Sequence, residues 1–252
     1  MANVVFPINE QSLVTDIVIS DYRTADVFRK YDIDFCCGGR RPLAAACEIM
    51  GLDITEIKKE LQNATRNIHI SPSLPFGEWP LDFLCDYIAH IHHTYLRKAI
   101  GITKAHLQNF ALGHRKKFTY LDELESAFSM LCKILLPHIE QEEEIIFPYI
   151  KQVNRAFRSN EPYAGLLVRT LRKPLKEIME NDHETTGKLL HKLRDLTNNY
   201  SLPEKACVSH RVTFHKLREI DNDLLQHIHL EKNILFPRAI AIETELLQRK
   251  DS

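Results

Sequence analysis

The sequence predicts an all-α protein in which a small helical domain precedes an antiparallel four-helix bundle. Apolar residues recur at helical spacing along almost the whole chain of 252 residues, and the alternation typical of strands is scarce. Three prolines and one glycine interrupt this periodicity between residues 66 and 80. The interruption divides the chain into a small unit at residues 1–65, a linker at residues 66–79 and a larger unit at residues 80–252.

The small unit is expected to hold three short helices. Ser20 and Asp21 can cap a helix that runs to about Tyr31, and two further helices fit residues 42–50 and 55–64. After the linker, the periodicity predicts four long helices, at residues 80–110, 121–150, 165–199 and 206–247. Four helices of this length are typical of a four-helix bundle.

Composition argues against several classes of function. With 33 basic and 34 acidic residues, the formal charge is −1, so no overall field attracts nucleic acid or anionic lipid. No apolar stretch reaches the length of a membrane span, and the first residues lack a signal-peptide pattern. We therefore expect a cytoplasmic protein with no nucleic-acid or membrane partner. The 13 histidines are about twice the usual share and direct attention to metal or proton chemistry.

The strongest functional signal is an internal repeat. The segment that begins at His138 reads HIEQEEEIIFP, and the segment that begins at His227 reads HIHLEKNILFP. Both follow the pattern H-x3-E-x2-I-[I/L]-F-P. A lone histidine precedes each copy at a matched distance, His93 by 45 residues and His183 by 44. Each half of the larger unit is thus predicted to be a helical hairpin with one lone histidine and one His-x3-Glu pair.

These polar residues lie on apolar stripes that should face the bundle interior. The stripe of the second long helix contains Leu124, Phe128, Leu131, Leu135, His138, Glu142, Ile145 and Tyr149. The stripe of the fourth contains Leu217, Ile220, Leu224, His227, Glu231 and Ile234. The stripe of the third contains Met179, His183, Thr186, Leu190 and Leu193.

A metal centre explains why carboxylates would lie on such stripes. Buried carboxylates need protons or cations, and four imidazoles with two carboxylates suit two bridged ions better than one tetrahedral zinc. Taken singly, each motif could be a core histidine or a surface contact, but the duplication favours metal. We predict two iron ions, with an oxo or hydroxo bridge, held by His93, His138, Glu142, His183, His227 and Glu231.

Two adjacent residues, His92 and His93, are candidates for the ligand on the first long helix. Periodicity places His92 nearer the apolar stripe than His93, so both histidines stay candidates. The histidines that are not candidate ligands are expected at the surface or around the metal.

Two adjacent thiols form a second candidate site. Cys36 and Cys37 lie in DFCCGG, a turn whose glycines allow tight backbone geometry and exposed thiols. Such a pair can bind a soft metal or exchange with disulfides, although two unreactive thiols are the plainer alternative. The remaining cysteines are expected as small core residues, namely Cys47, Cys85, Cys132 and Cys207.

Together these motifs resemble the Repair of Iron Centres family of di-iron proteins, which have a hemerythrin-like bundle. The resemblance covers nearly the whole chain and is carried by residues 28–39, FRKYDIDFCCGG, and residues 230–239, LEKNILFPRA. It implies a cytoplasmic homodimer that helps to repair iron–sulfur proteins damaged by nitric oxide or oxygen species. It also implies His93 as the first-helix ligand, and Cys36 and Cys37 as the catalytic thiols.

Two other functions share the same site. A hemerythrin-like carrier or sensor of oxygen or nitric oxide would need no thiol turn, and a di-iron nitric oxide reductase would turn over with an electron donor. Iron donation and catalytic turnover would use the same open coordination position.

Overall fold

The computed structural model describes residues 8–35, 39–65, 74–162, 164–170 and 175–248, without the side chains of residues 166, 170 and 176–183. Within these ranges the ordered elements are helices, and no strand occurs among them. The predicted all-α class is therefore confirmed. No described helix is long and apolar enough to cross a membrane.

Within its described residues, 8–35 and 39–65, the small unit contains four helices rather than three, namely α1 (Val14–Ser20), α2 (Thr24–Lys30), α3 (Leu43–Met50) and α4 (Ile54–Ala64). The helix predicted from the cap at Ser20 and Asp21 to about Tyr31 corresponds to α2, which begins later, at Thr24; α1 was not predicted. Asp21 ends α1 in an extended conformation, and its carboxylate accepts the Arg23 N–H at 3.0 Å. The chain therefore turns at Asp21, and α2 begins at Thr24.

The part of the larger unit that the structure describes contains four long helices and a four-residue one, α7 (Ala164–Leu167). Three of the long helices change to π-helix for about one turn and then continue as α-helix. Their consecutive segments are Leu81–Tyr87, Ile88–His93 and Thr94–His114 in α5; Leu121–Gln141, Glu142–Ile146 and Phe147–Arg158 in α6; Val208–Leu230, Glu231–Leu235 and Phe236–Gln248 in α9. The fourth, α8 (Leu175–Leu196), packs along α6, while α9 packs along α5.

The prolines of the repeated motif lie close to the π turns of α6 and α9. Pro148 and Pro237 each come two residues after the end of a π turn. Proline lacks the N–H that would bond the carbonyl four residues earlier, so the α-helical hydrogen bonds to the carbonyls of Glu144 and Asn233 cannot form. No proline follows the π turn of α5, Ile88–His93.

The π turns change which residues face the interior. A π turn adds about one residue to a turn, so the stripe beyond it moves by one position. Ile145 is accordingly 50% exposed and Ile146 only 1% exposed, contrary to the predicted stripe. In α9 the fully buried residue is likewise Leu235 rather than Ile234.

The core of the bundle consists of two apolar regions separated by polar side chains. One region includes Leu96 and Leu135, and the other includes Ile88 and Ile146. The helices therefore hold the polar layer in position from both sides.

The small unit packs against the start of α9. Val208 and Val212 of α9 belong to the same apolar cluster as Phe28 of α2 and Leu61 of α4. His106 and His210 are buried in the larger unit, contrary to the expectation that they lie at the surface or beside the metal. Most of the predicted linker, residues 66–73, lies outside the described residues.

Candidate metal centre

Four ligand-type side chains converge in the polar layer between the two apolar regions. His93 comes from α5, Glu142 from α6, and His227 and Glu231 from α9. Each offers one ligand atom, and these atoms all lie within 4.8 Å of one another. His93, Glu142 and Glu231 lie within π turns, and His227 lies four residues before the π turn of α9 begins.

The nitrogen and oxygen atoms of these four side chains surround a small volume. His93 Nε2 lies 3.1 Å from His227 Nε2 and 3.4 Å from Glu142 Oε2. His227 Nε2 lies 2.8 Å from Glu231 Oε1 and 4.0 Å from Glu142 Oε2. The carboxylates therefore face the imidazole nitrogens from two different helices.

The burial of the carboxylates indicates what the group can hold. Glu142 is 1% exposed and Glu231 is fully buried. Neither oxygen of Glu142 forms a hydrogen bond with a described residue, although His138 Nε2 lies 3.2 Å from its Oε1. An uncompensated buried carboxylate costs several kcal/mol. A bound cation removes that cost, and imidazole with carboxylate suits transition metals such as iron.

The pKa of the His227 imidazole is consistent with a cation-binding group. Burial lowers the pKa of the His227 imidazole, but the charges of Glu231 and Glu142 outweigh burial, so the pKa is raised above its ordinary value. A position that favours a proton between two carboxylates is also suited to a cation.

Not every predicted site residue can be placed. The backbone of His183 lies within α8, but its side chain is outside the described residues, as are Cys36 and Cys37. Phe35, directly before the two thiols, packs against His106 with ring centroids 6.0 Å apart. At 1.5 Å per residue, His106 lies about 20 Å along α5 from His93.

His92 and His93 have different surroundings although both are buried. His93 Nε2 lies in the group described above, whereas His92 Nδ1 hydrogen-bonds Asp223 Oδ1 at 3.0 Å. The His92 ring stacks on that of His227 at 5.9 Å. His92 therefore lies beside the group rather than within it.

Three polar residues near the site were missed by the sequence reasoning. Asp223 contacts His92, and Glu143 and Arg97 form a chain of contacts to His93. Their spacing offered a weak signal, because Asp223 and Arg97 lie four residues from His227 and His93, and Glu143 adjoins Glu142.

Family models match both units of the chain. Residues 10–65 match ScdA_N, described as a Domain of Unknown function (DUF542). Residues 87–239, more than half of the chain, match the Hemerythrin HHE cation binding domain.

Curated bacterial proteins resemble the chain along most of its length. The Iron-sulfur cluster repair protein ScdA of Staphylococcus epidermidis is 29% identical over 235 residues, which are 92% of this chain and 99% of that protein. The Iron-sulfur cluster repair protein YtfE of Citrobacter koseri is 32% identical over 232 residues, 90% of this chain and 96% of that protein. The chain therefore belongs to the hemerythrin HHE cation-binding family and shares the two-domain arrangement of the ScdA and YtfE proteins.

Proposed function

We propose that this protein repairs iron–sulfur clusters damaged by nitrosative or oxidative stress, using a di-iron centre in its bundle and two thiols in its small unit. The observation that carries the proposal is the buried group of His93, Glu142, His227 and Glu231. It occurs in a chain similar over about 90% of its length to proteins named for iron–sulfur cluster repair.

The proposed ligand set adds His138 and His183 to the four convergent residues. The contact of His138 with Glu142 supports the first addition, and the position of His183 in the repeat supports the second. Each ion would then receive two imidazoles, and Glu142 and Glu231 would bridge the pair. When bound, the two irons would supply exchangeable coordination positions for nitric oxide or oxygen species and a source of iron.

The protein side chains have distinct tasks in this proposal. Glu142 and Glu231 balance the charge of the cations, the imidazoles fix their positions, and the apolar regions on either side exclude bulk water. Cys36 and Cys37 would act at the damaged client. Phe35, the residue before them, contacts His106, which lies about 20 Å along α5 from His93.

The wider description rests on the family resemblance. We propose a cytoplasmic homodimer in which residues 1–65 carry the thiols, residues 66–79 form the linker and residues 80–252 bind metal. Light scattering of the purified protein measures the oligomeric state.

Metal analysis of anaerobically purified protein tests the centre. We expect about two irons per chain and the Mössbauer spectrum of a coupled pair. One tightly bound zinc per chain would contradict the proposed centre.

A repair assay tests the function and the thiols together. A client whose cluster has been damaged by nitric oxide should regain its cluster with the wild type. The double variant Cys36→Ala, Cys37→Ala should keep its iron but lose repair. Cys207→Ala, which changes a thiol outside the turn, is the control. Undiminished repair by the double variant would contradict the thiol role and favour the carrier or sensor.

A further inference from the structure

A chain of three side chains links the surface of the bundle to the metal centre. His93 Nδ1 donates to Glu143 Oε1 at 2.9 Å. The guanidinium of Arg97 binds the same carboxylate through both oxygens, at 2.8 and 2.9 Å. Two parallel bonds fix the plane of a carboxylate, which a single contact cannot do. The position of Glu143 is therefore set by Arg97 independently of His93.

This arrangement determines which nitrogen of His93 faces the centre. An ionised carboxylate can only accept, so this contact favours a proton on His93 Nδ1, and in the neutral imidazole the lone pair is then on Nε2. Nε2 is the atom that lies among Glu142, His227 and Glu231. A bond of this kind to the second ring nitrogen orients a histidine ligand and raises its basicity.

The second half of the internal repeat lacks the residues that would form the same series of contacts. Arg97 lies four residues after His93, and the equivalent residue after His183 is Gly187, which has no side chain. Glu143 directly follows Glu142, and the equivalent residue after Glu231 is Lys232. An ammonium group has only donors and cannot accept from an imidazole N–H. The two halves therefore differ at both positions.

We infer that Glu143, held by Arg97, is a positioning residue for His93 and makes the two metal subsites unequal, the His93 subsite retaining its ion longer. This inference rests on the proposed pair of irons. It assigns the less strongly held ion, the one available for donation, to the His183 side of the centre.

Anaerobic removal of iron by a coloured ferrous chelator tests the inequality. The wild type should lose one iron per chain quickly and one slowly. Glu143→Ala should accelerate the slow phase about tenfold to a hundredfold, and Glu143→Gln, which keeps an acceptor, should lie between them. Arg97→Lys should also accelerate that phase, because lysine lacks the two-pronged geometry. Glu144→Ala changes the exposed adjacent carboxylate and should leave both phases unchanged.

Nitrogen NMR of the His93 side chain provides a readout that needs no iron. The apo wild type should show the proton on Nδ1, and Glu143→Ala should show a mixture of tautomers. An unchanged tautomer, or a slow phase unaffected by Glu143→Ala, would overturn the inference. A wild type that binds two irons and releases them in a single phase would also overturn it, while the proposed function would stand. A wild type that binds no iron pair would overturn both.

Discussion

Glu142 and Glu231 are carboxylates enclosed by apolar residues on both sides, and this burial decides their effect on stability. In the absence of a cation, a buried charge destabilises the fold. The side chains that bind the metal are thus expected to oppose folding of the apo protein.

Replacement of Glu142 or Glu231 by alanine should therefore separate metal binding from folding. We expect each variant to lose metal affinity by at least about tenfold, as changes even outside the direct ligands do. The apo variants should remain helical, because the apolar regions on either side of the polar layer are unchanged. Iron content and circular dichroism provide the measurements. Full iron content in both variants would show that neither carboxylate is a ligand.

His92 and His93 provide a second comparison between adjacent residues. His93→Phe should abolish most metal binding, because His93 Nε2 lies in the convergent group. His92→Phe should keep the metal, because His92 Nδ1 contacts Asp223. The phenylalanine ring can also take the place of the imidazole that stacks on His227. Metal titration of both apo variants measures the difference. Greater metal loss in His92→Phe than in His93→Phe would reverse the assignment.

The sequence singled out the four convergent residues but did not predict the π turns in the helices that carry them. The duplicated His-x3-Glu pairs needed only ordinary α-helical spacing, which holds up to Glu142 and Glu231. Periodicity placed His92 nearer the apolar stripe, whereas the structure buries both histidines and brings His93 into the convergent group; the residues of that turn, Ile88–His93, are π-helical. Hydrophobic periodicity assumes one constant number of residues per turn and cannot detect such a change.

The π turn of α6 predicts that alanine substitutions at two adjacent residues, Ile145 and Ile146, change the free energy of unfolding by different amounts. Ile146→Ala should lower the free energy of unfolding by about 2 to 4 kcal/mol, because Ile146 is buried. Ile145→Ala should change it by less than about 1 kcal/mol, because half of Ile145 is exposed. Denaturant unfolding of the apo protein measures both. Equal losses, or a larger loss at Ile145, would contradict the shift in register.

The whole molecule depends on contacts between the two units that no local pattern encodes. Asp26 of α2 accepts a hydrogen bond from Lys216 Nζ of α9 at 2.6 Å and contacts His106 Nε2 of α5 at 3.3 Å. The Tyr22 ring stacks on His215 at 4.7 Å. The sequence predicted two units and a linker between them, but the partners in these contacts are far apart along the chain. Their pairing could therefore not be predicted from spacing.

Removal of the Lys216 charge should loosen the small unit without affecting the metal centre. The Lys216 side chain is only 7% exposed, so Lys216→Met leaves Asp26 without its ammonium partner in a partly buried setting. We expect the docking of α1 to α4 to weaken by about 1 to 3 kcal/mol. Hydrogen exchange should accelerate in those helices and not around His227. Lys188→Met, at the exposed pair with Glu184, is the control and should have little effect.

The same contacts predict that docking weakens in mild acid. Burial lowers the pKa of His106, and Lys216 and Arg29 add to this effect, while Asp26 opposes it. A histidine whose pKa is depressed in the docked state stabilises that state above its free pKa of about 6.5 and loses this contribution as the pH falls. The pKa of Asp26 is also lowered, because His106 and Lys216 outweigh burial, so its contribution is lost only at more acidic pH. Hydrogen exchange of α1 to α4 should thus accelerate between pH 7 and pH 5, and His106→Gln should flatten this dependence. An equally steep pH dependence in the variant would show that another group controls docking.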